Sequence, residues 1–228
     1  MAELSSHSAP QSGRPGPSSL GFNLASIAVL VLLLAVGAAY LVDELGRRDT
    51  VPPPSLTDSD PVQQTIAGRE LSIPASWFRY GEQIRDGFTN QIDLRILFEV
   101  GDQDPAPVSV TLVPRSSART SASLLDRVYL HQFDSDTLDG VPGLVGKPMQ
   151  ATEGYQGEAI WYDALSPNPF VAKCQAPLAP DAPAQCVRTV YLPSGIAAIY
   201  TFDTKLLQSW RDFDAEMEKW LSVIGAWS

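Results

Sequence analysis

Cysteine and histidine are scarce in this chain, with two of each in 228 residues. Two cysteines are too few for a small disulfide-stapled scaffold. Two histidines, His7 near the start and His131 far from it, leave no four-ligand zinc set without help from carboxylates. Bases are also in short supply: 16 Lys and Arg against 26 Asp and Glu give a net charge of −10. No cluster of Lys or Arg offsets that balance, so general nucleic-acid binding is excluded on electrostatic grounds. The sequence has no G-x-S-x-G elbow, no H-E-x-x-H, no Walker A loop and no G-x-G-x-x-G fingerprint. It assigns no cofactor and no metal.

What the chain does contain is unevenly spread. The mean hydropathy is −0.03, yet 17 of the 19 residues from Leu24 to Val42 are hydrophobic and none is charged. At about 1.5 Å per residue this run spans roughly 29 Å, close to the hydrocarbon thickness of a bilayer. The expectation is a transmembrane helix over residues 20–42, with the lipid bilayer as its partner. A cleaved signal peptide is the competing reading, because Ala35, Gly37, Ala38 and Ala39 loosely resemble a cleavage region. The apolar run is longer than a signal peptide needs, and only Arg14 precedes it, which favours an uncleaved anchor.

Before the anchor, residues 1–19 are rich in Ser, Pro and Gly and read as a disordered cytoplasmic tail. His7 there is a solvated residue without a second ligand candidate. After it, residues 43–63 read as an extended linker whose proline-rich part, Asp49 to Pro61 with Pro52, Pro53, Pro54 and Pro61, reaches up to about 40 Å. Residues 64–228 then form one domain. For orientation, Arg47 and Arg48 lie among Asp43, Glu44 and Asp49 and are a poor topological signal. The cysteine pair instead places the domain outside the cytoplasm, in the periplasm if the cell is Gram-negative.

Within the domain, Ile92, Leu94, Ile96 and Phe98 alternate with polar residues, as do Val108, Val110 and Leu112, predicting half-buried antiparallel strands joined by an acidic turn over Gly101 to Pro107. Further strands are expected at Thr65–Ile73 (ending at Pro74), Glu158–Ala164, Phe170–Cys174, Cys186–Leu192 and Ile196–Phe202. A helix is expected at Ser121 to Phe133, behind Ser/Thr caps. A long amphipathic helix at Thr204 to Ile224 carries the stripe Leu206, Trp210, Phe213, Met217, Trp220 and Ile224, which packs on a sheet. The fold class is α+β: an antiparallel sheet of six or seven strands covered by two helices.

Cys174 and Cys186 flank a proline-rich segment between two expected strands, predicting a hairpin closed by a disulfide, worth about 3 kcal/mol in the chain-entropy model. Eleven intervening residues argue against a C-x-x-C redox pair. The segment Asp134 to Gly140 briefly resembles a calcium loop, but its third acid and its Gly arrive one residue late and Val145 takes the twelfth position. His131, within Val128-Tyr129-Leu130-His131-Gln132-Phe133, is the one histidine a hydrolase triad in the domain could use; a satisfied or surface imidazole is the alternative. No pair of carboxylates stands out. Trp77, Tyr80 and Trp161 are the candidate ligand-binding aromatics, with burial in the core as the competing role.

The segment Leu71-Ser72-Ile73-Pro74-Ala75-Ser76-Trp77, with a closing strand (Ile196 to Phe202) and an amphipathic C-terminal helix, resembles the PsbP-like α/β sandwich domains. The chain departs from that group in its long Asp134 to Gly157 connection and its Cys-closed hairpin. The resemblance implies a non-enzymatic accessory or assembly role and supplies no catalytic residue. Three functional readings follow: an accessory or protein-interaction module for an envelope protein complex, a small envelope hydrolase with a dispersed carboxylate or His131 site, or an aromatic-lined ligand-binding domain.

Overall fold

A computed structural model describes residues 18–48, 53–99, 104–151, 156–177 and 182–227, with side chains described only for 24–40 in the first of these segments. The chain divides into two units, Met1–Val51 and Pro52–Ser228. The first holds helix α1, Ser18–Arg48, of 31 residues. Its apolar side chains stand uncovered, from Leu24 (64 % exposed) to Tyr40 (69 %). Among the described residues no helix is long and apolar enough to cross a membrane. Parts of the expected 20–42 span, like most of the expected 1–19 tail, lie outside those whose side chains are described.

The second unit opens with a hairpin, β1 (Pro61–Ile66) and β2 (Arg69–Pro74), where alternation alone predicts a single strand Thr65–Ile73. Ala67 and Gly68 both have positive φ, 50° and 78°. That pair of conformations is a type I′ turn, whose twist suits a two-residue hairpin. The usual signal is Asn-Gly, and alanine in the first place hides it. A short strand β3 (Gly87–Phe88) runs parallel to β1, giving a small sheet of order β2-β1-β3.

The main sheet contains β4 (Ile92–Phe98), β5 (Ala106–Pro114), β6 (Val145–Pro148), β7 (Glu158–Tyr162), β8 (Val171–Gln175), β9 (Gln185–Tyr191) and β10 (Ile196–Asp203). Its seven strands lie in the order β4-β5-β10-β9-β8-β7-β6 and every neighbouring pair is antiparallel. The α+β class and the C-terminal helix agree with the sequence. Strand β6 does not show in the sequence because Val145-Gly146-Lys147-Pro148 has no apolar alternation.

Two helices take opposite faces of this sheet. Helix α2 covers Ser121–Arg127 and is followed by a 3-10 turn, Tyr129–His131. It is shorter than the expected Ser121 to Phe133 because Val128 leaves helical geometry at φ −129°. Thr120 caps its start, its side chain accepting from the Ser123 amide at 3.2 Å. The expected Thr204–Ile224 helix begins as a 3-10 segment, Thr204–Ser209, and continues as α3, Trp210–Val223. Gly225, at φ 77°, ends it, and the Ala226 amide bonds back to the Leu221 carbonyl, a left-handed C-terminal stop.

The stripe on α3 is the centre of the core. Phe213 is fully buried, and its ring lies 4.6 Å from Phe202, 5.5 Å from Phe98 and 5.6 Å from Tyr200. Trp220 lies 4.9 Å from Trp77. A smaller cluster on the other face joins Leu125, Tyr129, Met149, Ile160 and Val171.

The domain also takes in residues that composition assigns to the 43–63 linker. Leu56 packs on the core, the Ser55 carbonyl accepts from Trp77 Nε1 at 3.0 Å, and Asp58 Oδ2 accepts from Ser76 Oγ at 2.5 Å. The strand signal at Pro61 is masked by proline, which is tolerated at the first residue of a strand.

The left-handed alanine of the hairpin gives a direct test. Ala67→Asn is expected to raise unfolding stability by about 0.5–1 kcal/mol, since asparagine is at home in that region. Urea unfolding checks this, and a lower midpoint would contradict the turn assignment.

Candidate functional site

The three candidate aromatics do not share a surface. Trp77 is fully buried, held between its Ser55 hydrogen bond and the ring of Trp220. Trp161 is 8 % exposed and packs on β6 at Gly146, where a Cβ would come within 2.8 Å of the indole. Both rings lie in the core and fill it with their large apolar area. Tyr80 is exposed, with the Arg79 guanidinium 5.2 Å over its ring.

Cys174 and Cys186 are directly opposed in β8 and β9 and form a disulfide. Both are buried, so the hairpin of the sequence reading is present and its closing bond lies within the core. Part of the connecting segment, 178–181, lies outside the described residues.

His131 is exposed on its 3-10 turn. In the acidic segment, the Lys147 ammonium donates to the Asp136 carbonyl and to Thr137 Oγ1, both at 2.9 Å, and to the Ser135 carbonyl at 3.3 Å. A side-chain cation thus takes up oxygens that a calcium loop would turn toward its ion. Among the described residues no three His, Cys, Asp or Glu side chains converge as a metal site requires.

The ionisable groups that are buried were not singled out by any motif. Arg188, in β9, is 6 % exposed. Its Nε and Nη2 donate to the two carboxylate oxygens of Asp214 on α3, at 2.9 and 2.6 Å. Its Nη1 donates to the Val171 carbonyl at 3.3 Å, and its plane lies 4.4 Å from the Phe170 ring. The fork geometry of arginine suits such a two-point contact. Alternation could have flagged it: Arg188 shares the inward face of β9 with Cys186, and a lone base at an inward position requires a partner.

Beside this pair, the Tyr200 hydroxyl is buried and makes no hydrogen bond. Burial pushes its pKa up, the Asp214 charge adds to that, and Arg188 partly offsets it. The phenol therefore stays neutral throughout the physiological range.

A second buried cluster surrounds Asp93, 6 % exposed. Its carboxylate accepts from Gln91 Nε2 at 2.7 Å, Thr111 Oγ1 at 2.7 Å and Gln83 Nε2 at 3.0 Å. Burial alone would raise the Asp93 pKa; the bonds from Thr111, Gln91 and Gln83, with the charge of Arg79, outweigh it and hold the group below the ordinary carboxylate range. Gln64, also buried, donates to the Gln83 and Arg85 carbonyls at 2.7 and 3.1 Å.

These arrangements bind parts of the chain to each other. The guanidinium of Arg188 and the carboxylate of Asp93 both spend their hydrogen bonds on other parts of the chain. The site chemistry is that of a structural clamp, and the class defined by the fold is an α+β domain with a seven-stranded antiparallel sheet between helices. No family model matches the chain, and no curated protein matches it in sequence. Among solved structures it is similar to Smlt3025, an immunity protein of the Stenotrophomonas maltophilia type IV secretion system, at 11 % identity and a TM-score of 0.46, over 71 % of this chain and 92 % of that one.

Two measurements test the clamps. Asp214→Ala leaves Arg188 buried without its counter-ion and is expected to cost roughly 2–4 kcal/mol, toward the lower end because Asp214 is itself half exposed. Tyr200→Phe removes an unbonded buried hydroxyl and is expected to stay within about 1 kcal/mol of the parent or exceed it. A Tyr200→Phe loss as large as that of Asp214→Ala would contradict the geometry.

The pH dependence has a definite sign. Asp93 and Asp58 both titrate below their ordinary values, Asp58 chiefly through its bonds from Ser76 and Ser55. Each carboxylate therefore contributes stability that is present above the ordinary range and lost as pH falls through its lowered value, below about pH 4. Urea midpoints measured from pH 5 down to pH 2 should fall, and Asp93→Asn should flatten that slope while lowering stability at pH 7.

Proposed function

We propose that the chain is a single-pass, membrane-anchored protein whose extracytoplasmic domain acts as a non-catalytic interaction module in a cell-envelope complex. The observation that carries this reading is the row of uncovered apolar side chains on α1, including Leu30, Leu32, Leu33 and Leu34 at 60–66 % exposure. In water such a surface would be costly; in lipid it is at rest. The flanking sequence extends the apolar run to Val42. The buried Cys174–Cys186 disulfide supports an oxidising location for the domain. The saturated clamps at Arg188 and Asp93 support a binding role, since neither offers a group for proton transfer or nucleophilic attack. The partner in this reading is a protein of the envelope, not a nucleic acid, given the net charge of −10.

Anchoring and topology are read out together. The protein should stay in the membrane pellet after alkaline carbonate extraction, and alkaline phosphatase fused after Ser228 should be active. Carbonate release would remove the anchor, and an inactive but well-expressed fusion would place the domain inside. Alkylation without reduction should leave both cysteines unmodified, by mass spectrometry.

A further inference from the structure

The main sheet has two edge strands, β4 and β6, and unpaired edges invite another strand unless they are covered. The chain covers β6 itself. Leu138 bridges Gly146, Phe133 bridges Met149, and the Leu138 and Asp134 amides donate to the Gly146 and Pro148 carbonyls at 2.9 Å each.

It covers only the first half of β4. Phe78 bridges Leu94, the Arg79 amide donates to the Asp93 carbonyl at 2.9 Å, and the Asp93 amide donates to Gln83 Oε1 at 2.9 Å. Both backbone groups of Asp93 thus point away from β5. By the two-residue period of a strand, those of Arg95, Leu97 and Glu99 do the same. The register agrees: Leu97 lies opposite Pro107, which has no amide proton to share. Among the described residues, no backbone bond reaches these outward groups of Arg95, Leu97 and Glu99, and the side chains of Arg95 and Glu99 are exposed.

We propose that this open half-edge pairs with the same half-edge of a second copy of the chain, antiparallel, about a two-fold axis through Leu97. The charges select the occupant and the register. With the axis at Leu97, Leu97 meets its own copy, Arg95 lies directly opposite Glu99 of the partner subunit, and the symmetric pair repeats the match. An axis at Arg95 would set two guanidiniums face to face. An axis at Ile96 would set Arg95 against leucine. Only the first register satisfies both charges, and its facing residues all have backbone groups directed outward. Opposite charges in directly facing cross-strand positions stabilise a pair and like charges disfavour it. The contact is self-complementary, as a closed two-fold interface must be, and it joins two main sheets into one. It is small, so the pairing is reversible.

The test uses the full-length protein in detergent, with association followed by analytical ultracentrifugation. Arg95→Glu alone and Glu99→Arg alone should each weaken the dimer about tenfold or more, because each sets like charges opposite one another. The double variant R95E/E99R should restore the parent affinity to within about threefold. Because both native cysteines are bonded to each other, an introduced cysteine supplies a lone thiol for mild oxidation. Leu97→Cys should cross-link to itself. Arg95→Cys alone should not, but should do so when mixed with Glu99→Cys. Circular dichroism melting confirms that each variant is folded. A chain that is monomeric at all concentrations, a dimer indifferent to the charge changes (as association through α1 would be), or equal cross-linking of Arg95→Cys and Leu97→Cys would each overturn the proposal.

Discussion

The seat of Phe213 is the contact on which the rest of the domain depends. Its ring is fully buried among Phe98 of β4, Phe202 and Tyr200 of β10, and Phe170 beside β8. One side chain from the C-terminal helix therefore touches both the β4 edge and the residue that leads into β8, strands that β5, β10 and β9 separate in the sheet. Aromatic packing of this kind adds to simple area burial, and it fixes where α3 crosses the sheet. Once α3 is seated there, Asp214, the next residue, is brought to Arg188, and Trp220, two turns on, is brought to Trp77. Trp77 in turn holds the Ser55 carbonyl. The path from the start of the domain to its last helix thus runs through two indoles and one phenyl ring.

The Arg188 pair adds definition to this arrangement. A buried base must be matched, and the two-point contact with Asp214 admits one register of helix against sheet. The unbonded Tyr200 hydroxyl beside it is a local cost that the surrounding rings outweigh. The Asp93 cluster does the equivalent at the β4 edge of the sheet, holding the Tyr80–Arg85 segment against β4 and setting how far that edge is covered.

The sheet and the last helix were legible because their signals are periodic. Alternation in Ile92–Phe98 and the stripe from Leu206 to Ile224 both report one buried face, and the paired cysteines locate the β8–β9 hairpin. What escaped had no period to show. Ala67-Gly68 lacks the asparagine that usually marks its turn, Val145–Pro148 is too short to alternate, and Ser55, Leu56 and Asp58, within the expected linker, join the domain by their contacts and not by their composition. The clamps were hidden for a different reason: Arg188 and Asp214 are 26 residues apart, and only the folded sheet makes them neighbours. Trp77 and Trp161 show the reverse case, aromatic residues whose chemistry suits a binding surface but which the fold buries: Trp161 points inward from β7, and Trp77 lies in the 3-10 turn Ala75–Trp77 after β2, packed on Trp220.

The buried charges of Arg188 and Asp93 are consumed in holding α3 and the β4 edge in place, and the interaction role proposed for the domain rests on the residues left outward. That account depends on α3 being part of the cooperative core. Native-state hydrogen exchange of α3 against β4, β9 and β10 tests it most directly. The account predicts that the amides of Phe213–Trp220 exchange only through the same global opening as the central strands, with equal free energies. Exchange of α3 through a separate, lower-energy opening while the strands stay protected would contradict it.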